Sequence, residues 1–458
     1  LKKFAGFSEA PYNAGERGIT MFTKEIVFKL FEAFSIQRWN DLVRPFDIVE
    51  MDKTAEKMFL SFIIGKYEEK NGRTVNWLTI INHSFFELLR RIALCDMKSP
   101  VQRIIRSEYP EEYKKLNRWV LDKYKTIITD PLFLDEFASY LFDPADPTDI
   151  SFRVLRAAHK YSAIRELDMI RMVNEPFRLT EIDKCLEADI ADFMDLTGLQ
   201  LLVTRQQPYY FITEIEKLRF QTRWNQTPRV PATTVLGHSY FVAALVFLMS
   251  RTLELAPHRL AMNFFAALFH DLPEAVTRDI ISPVKQATDR LPEVVKHIED
   301  EIVAKELLPL MDECYREEVL YFIQDEFENR IKLDGETRCV TSEELNTTYA
   351  APEFCGIDGK LIRAADHIAA FVEADSSINF GIRSEQLEEG RANILHHYGK
   401  NTVILSLPVL GKDFFCERVK LISVCFQRVF YNVPTALNVD TAFERSIRLQ
   451  ADNNFIIF

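Results

Sequence analysis

Long amphipathic runs fill this chain. Leu and Phe recur among Glu, Lys and Arg, and no alternation of apolar and polar residues repeats along it. Only 14 glycines interrupt 458 residues, so the pattern predicts a mostly helical, all-α protein. The length exceeds one ordinary core and predicts two or three domains. No stretch holds 18 consecutive apolar residues, and the opening Leu-Lys-Lys-Phe-Ala-Gly lacks a signal-peptide core. The expected compartment is therefore the cytoplasm, with no membrane partner.

The order of motifs repeats. The second half runs Thr222-Arg-Trp-Asn225, His238, His270-Asp271-Leu-Pro-Glu274, Arg278-Asp279, Ser282-Pro-Val-Lys285 and Arg363-Ala-Ala-Asp366. The first half runs Gln37-Arg-Trp-Asn40, Asp52, His83-Ser84-Phe-Phe-Glu87, Arg91, Asp96, Ser99-Pro-Val-Gln102 and Arg156-Ala-Ala-His159. The two series keep a nearly constant separation until the last pair, which a polar insertion near 329–359 pushes apart. This order predicts an internal duplication. The expected units are residues 1–204 and 205–400, with the repeated parts at about 20–197 and 205–400. Residues 401–458 are expected as a C-terminal extension packed on the second unit. The joint falls near Thr197-Gly198 and Arg205-Gln-Gln-Pro208, where Gly and Pro suit a break between helices.

Composition narrows the function. With 47% hydrophobic and 27% charged residues the chain is globular. Its net charge of −12 argues against nonspecific binding to nucleic-acid polymers or anionic membranes. A small anionic substrate held by a few Arg and Lys residues remains compatible with it. The seven cysteines are scattered without a CxxC pair, as in a reduced intracellular protein.

The candidate chemistry sits at His270 and Asp271, which end the apolar run from Phe264 to Phe269. One nitrogen and one oxygen ligand side by side suit a divalent transition-metal ion, whether Mn, Co, Fe, Ni or Zn. His238 upstream and Asp366 downstream would complete a set of two imidazoles and two carboxylates. Such a set nearly cancels the ion's charge and leaves positions for water and phosphate. Glu274 falls on a neighbouring helical face, unless Pro273, which removes a donor to the Phe269 carbonyl, kinks the helix just past the ligands. In the first half Asp52, His83, Ser84 and His159 stand at the aligned places. Ser for Asp deletes an anionic ligand, so that half is expected to have lost its ion.

The set His238, His270-Asp271 and Asp366 resembles the HD-domain phosphohydrolase superfamily. The stretch from His270 to Lys285, with Arg223-Trp224 ahead of His238, is similar to the bacterial HD-type 5′-deoxynucleotidases. The resemblance covers about 200 residues of the second half and implies a tandem of HD-like helical bundles whose first copy is degenerate. It makes His238, His270, Asp271 and Asp366 the metal ligands, with one ion per chain. Glu274 and Asp279 become the acids near the attacking water and the leaving group. Arg223 orients the phosphate, and Trp224 lines the sugar and base pocket. Ser282, Pro283, Val284 and Lys285 form the substrate-contacting turn. Arg278 stands where those enzymes usually carry Gly, and Ser282 where they carry Thr.

The expected activity is hydrolysis of phosphomonoesters, foremost nucleoside 5′-monophosphates, by a metal-activated water. Cyclic-nucleotide, guanosine-tetraphosphate and nucleoside-triphosphate hydrolysis are alternatives within the superfamily. Ala275 after Glu274, in place of a second acid, counts against the tetraphosphate activity. A nucleotide-sensing or scaffold protein with little turnover is the rival from another class. A homodimer is left open.

Overall fold

Helix dominates the computed structural model, which describes residues 22–280, 284 and 287–400. The expected C-terminal extension and Ser282, Pro283 and Lys285 lie outside these residues. The helices that build the core and the site are, in chain order, α1 (Glu50–Lys70), α2 (Trp77–Leu94), α3 (Ile150–Ile170), α4 (Gln207–Glu216), α5 (Val235–Thr252), α6 (Pro257–Phe269), α7 (Glu274–Thr277), α8 (Glu313–Ile323), α9 (Gly359–Asn379) and α10 (Glu385–Lys400).

Two central helices, α1 and α5, pack on each other. Each keeps its own escorts. α2 and α3 flank α1, whereas α6 and α9 flank α5. One apolar core runs through both halves, from Phe22 to Val372. α5 is apolar nearly all round and buried from Val235 to Ser250, as the middle element of a thick bundle must be. It is also the one helix among the described residues long and apolar enough to cross a membrane, and 89% of it is buried inside the protein. Thr234 starts it by accepting a hydrogen bond from the Gly237 N–H at 2.9 Å.

α1 is buried differently. It carries Glu50, Asp52, Lys53, Glu56 and Lys57 into the interior, almost wholly removed from water. A polar run of this kind stays helical and buried only where partners from other elements meet its charges.

Near the expected joint, a turn over 192–196 ends one helix, and the next begins at Thr197. Gly198 lies inside a short helix, Thr197–Val203, and a Cβ there would stand 2.7 Å from the Ile64 Cα. This glycine allows a close approach to α1. The chain turns later, at Arg205 (φ +56°), before Pro208 opens α4.

The polar insertion holds the one sheet found among the described residues, a hairpin of β1 (Arg330–Leu333) and β2 (Glu336–Cys339). Asp334 and Gly335 both take positive φ, as a two-residue hairpin turn requires. Arg330 is fully buried and donates to the Tyr321 and Phe322 carbonyls, which terminate α8.

Candidate metal centre

Three helix segments meet at the centre: the first turn of α5, the end of α6 and the middle of α9. α6 stops because Pro273 cannot donate to the Phe269 carbonyl, which accepts from the Leu272 N–H at 2.9 Å. His270 is thus the C-cap, and Asp271 begins a tight turn into the four-residue α7. Glu274 therefore does not share a helix with His270, contrary to the simple helical spacing.

His238, His270 and Asp366 each offer a ligand atom, and these atoms lie within 4.8 Å of one another. His238 Nε2 stands 3.0 Å from Asp366 Oδ1 and 3.8 Å from Asp271 Oδ2. His270 Nδ1 meets the Ala267 carbonyl at 2.7 Å, which orients its Nε2 to within 3.2 Å of Asp271 Oδ1. All four expected ligands converge. The residues fit a divalent cation on a further ground: His270 Nε2 and Asp271 Oδ2 are buried without a hydrogen-bond partner. Buried polar atoms are rarely left so in a finished site.

Arg223 closes one side. Its Nη1 is 3.6 Å from Asp271 Oδ2 and its Nη2 3.9 Å from Asp366 Oδ1. Burial works against its charge, but Glu373, Asp271 and Asp366 around it raise its pKa. His238 is pushed up to about 8. Burial and Arg223 lower it, and Glu373 and Asp366 more than offset them. The field at this point favours a cation.

Glu373 was not foreseen from the sequence. Fully buried, it accepts from Trp224 Nε1 at 2.9 Å and Thr233 Oγ1 at 3.1 Å, and it contacts Arg223 Nε at 3.4 Å and His238 Nδ1 at 3.2 Å. Burial alone would raise its carboxyl. Arg223, Arg229 and His238 instead hold it well below the usual carboxylate range. A carboxylate on the far ring nitrogen fixes the tautomer that leaves Nε2 to a metal. The signal was present, since Glu373 follows Asp366 by two helical turns and Glu166 follows His159 at the same interval. Arg229 was also missed. It is buried beside Glu373 and donates to the Arg223 carbonyl.

The remaining expected residues are spread around this cluster. Trp224 points its indole N–H at Glu373 and lays its ring against α10, where a Cβ on Gly390 would come within 2.5 Å. Glu274 is buried, and its carbonyl accepts from Gln221 at 2.8 Å. The Asp279 N–H donates to the Gln221 side chain at 3.3 Å, and its carboxylate lies in electrostatic range of Arg223. Arg278 adopts φ +65°, ψ 161°, backbone that glycine enters readily and other residues enter under strain. Val284 is half-exposed.

The first half shows a parallel arrangement. Arg38 N–H donates to the Ile48 carbonyl as Arg223 N–H does to that of Thr233. Glu50 N–H meets the Ile36 carbonyl as Val235 N–H meets that of Gln221. Trp39 and Trp224 have φ of 58° and 56°, and each indole donates to its glutamate, Glu166 or Glu373, at 2.9 Å. This register corrects the sequence alignment at two points. His238 corresponds to Lys53, one residue beyond Asp52, whose carboxylate meets Thr234 Oγ1 at 2.6 Å instead. His83 packs against Tyr140, and it is Glu87, one turn later on an unbroken α2, that reaches His159 Nδ1 at 3.0 Å. Lys57 Nζ meets Glu87 at 2.7 Å and Lys53 Nζ meets the His159 carbonyl at 2.7 Å. Two lysines thus reach into this centre. Burial pushes Lys53 down to about 7 and His159 to about 3.

Comparison with known families agrees with the second half. Residues 215–395 match the family model described as HD domain, so this segment of the chain is similar to HD domains. HD domains bind divalent metals and generally act as hydrolases. No curated protein matches the chain.

Proposed function

We propose that the protein is a metal-dependent phosphomonoesterase acting on nucleoside 5′-monophosphates. The carrying observation is the convergence of His238, His270 and Asp366 within 4.8 Å, with Arg223 beside Asp271 and Asp366. His238, His270, Asp271 and Asp366 would hold one ion, which when bound polarises a phosphoryl oxygen and lowers the pKa of water. Arg223 supplies a planar fork suited to two phosphate oxygens. Glu274 takes a proton from the attacking water, and Asp279 gives one to the leaving 5′ oxygen. Trp224 borders the nucleoside side, and Ser282, Pro283, Val284 and Lys285 are assigned to substrate binding.

The matching backbone bonds and the two tryptophan–glutamate pairs support an internal duplication, with units 1–204 and 205–400. In this reading the first copy is non-catalytic, and Lys53 and Lys57 balance carboxylates that would otherwise face a metal. The reading also keeps the protein in the cytoplasm.

The test uses the full chain loaded with Mn²⁺ or Co²⁺ and a panel of deoxynucleoside monophosphates. Phosphate release is expected, and Asp271→Ala should abolish both turnover and bound metal while the helical content survives. Bound metal with no release across the panel would sink the proposal, and tight nucleotide binding without turnover would select the sensing role.

A further inference from the structure

The halves are joined by charge at a point that leads straight to the candidate site. Arg219, on a short turn after α4, is fully buried and donates to Glu56 of α1. Its Nη1 is 3.7 Å from Glu166 of α3. Three residues before it, Glu216 receives a two-pronged contact from Arg165 of α3, at 2.6 and 2.7 Å. The segment 216–219 is therefore anchored from the first half.

The chain passes from this anchor directly into the catalytic loop. Gln221 bridges the Glu274 carbonyl and the Asp279 N–H, and Arg223 faces Asp271 and Asp366. A second anchor acts on the metal side. Asp52 holds Thr234, the N-cap of the helix that presents His238 one turn on. Gly237 makes room for this contact, since a Cβ there would stand 2.6 Å from Asp52 Oδ1.

We propose that Arg219 is a positioning residue through which the first half holds Arg223 and Gln221 in place at the other half's active site. Arg219 touches neither the metal ligands nor a substrate. It acts by fixing a backbone that would otherwise shift, and a displacement near 1 Å at a phosphate-binding arginine is enough to cost much of its effect. The first half then serves as a platform for the reaction, which gives a metal-free copy a reason to keep its buried charges. This inference rests on the proposed phosphatase reading.

The test measures inorganic phosphate affinity, Mn²⁺ affinity and kcat on full-length, Mn²⁺-loaded protein. Arg219→Met should weaken phosphate binding and kcat by on the order of 10-fold to 100-fold, with Mn²⁺ affinity unchanged. Arg219→Lys, which keeps the charge, should recover part of the loss. Should Arg219→Met fail to fold, Glu56→Gln keeps the shape of the pair and should shift phosphate affinity in the same direction. A folded variant that melts earlier but binds phosphate as wild type does would make Arg219 merely structural and overturn the proposal. If wild type turns over no substrate, the phosphatase reading fails, while the phosphate titration still reports on Arg219. Metal-loaded wild type that binds no phosphate overturns both.

Discussion

Glu373 shows how much one residue contributes here without touching a metal. Its carboxylate sits between Arg223, Trp224, Thr233 and His238, so it orients the proposed phosphate-binding arginine and a proposed ligand together. Glu373→Gln keeps the volume but loses the charge that makes His238 a strong donor. The expected outcome is a loss of about 10-fold to 100-fold in Mn²⁺ affinity, measured by titration of the metal-free protein. An unchanged affinity would mean that His238 is held by packing alone. The sequence reveals ligands better than their supports, because a ligand doublet is compact and its supporting carboxylate lies two helical turns away on another helix.

At the scale of elements, the contact of α1 with α5 carries an electrostatic cost. Burial raises the Asp52 carboxyl from its ordinary 3.8 to about 6, and Arg219 and Thr234 only partly offset this. Between these values the folded chain keeps a proton that the unfolded chain has released. Stability from this group is therefore present below about pH 3.8, falls as pH rises, and is fully lost above about 6. Asp52→Asn removes the dependence while retaining an acceptor for Thr234. The variant should be more stable than wild type by about 3 kcal/mol at pH 7 and by only a small part of that near pH 4, as read from urea unfolding at both values. A constant difference across pH would assign the effect to packing.

At the scale of the molecule, two similarly built halves share one core but differ at their centres. One presents two histidines and two aspartates, and the other Lys53, Lys57, Glu87 and His159. Elemental analysis of the full chain should give one divalent ion, and chelation should lower the melting temperature. An ion present at 100 times its dissociation constant contributes about 2.7 kcal/mol. Two ions per chain would contradict the assignment of Lys53 to the His238 position.

The helical class and the convergence of His238, His270, Asp271 and Asp366 were legible in sequence, because amphipathic runs and a His-Asp doublet are local signals. Arg223-Trp224 was legible too, as a pair repeated in both halves. The pairing of the halves residue by residue was not. Asp52 and His83 are ligand types at the aligned places, yet the register of one loop sets Lys53 opposite His238, and on an unbroken α2 it is Glu87 that reaches His159. Glu373, Arg229 and the Arg219 anchor were equally hidden, since each owes its role to partners far along the chain. Sequence thus determined which chemistry the chain carries. Tertiary structure decided which side chains face it, because burial and charge pairing are settled only where separate helices meet.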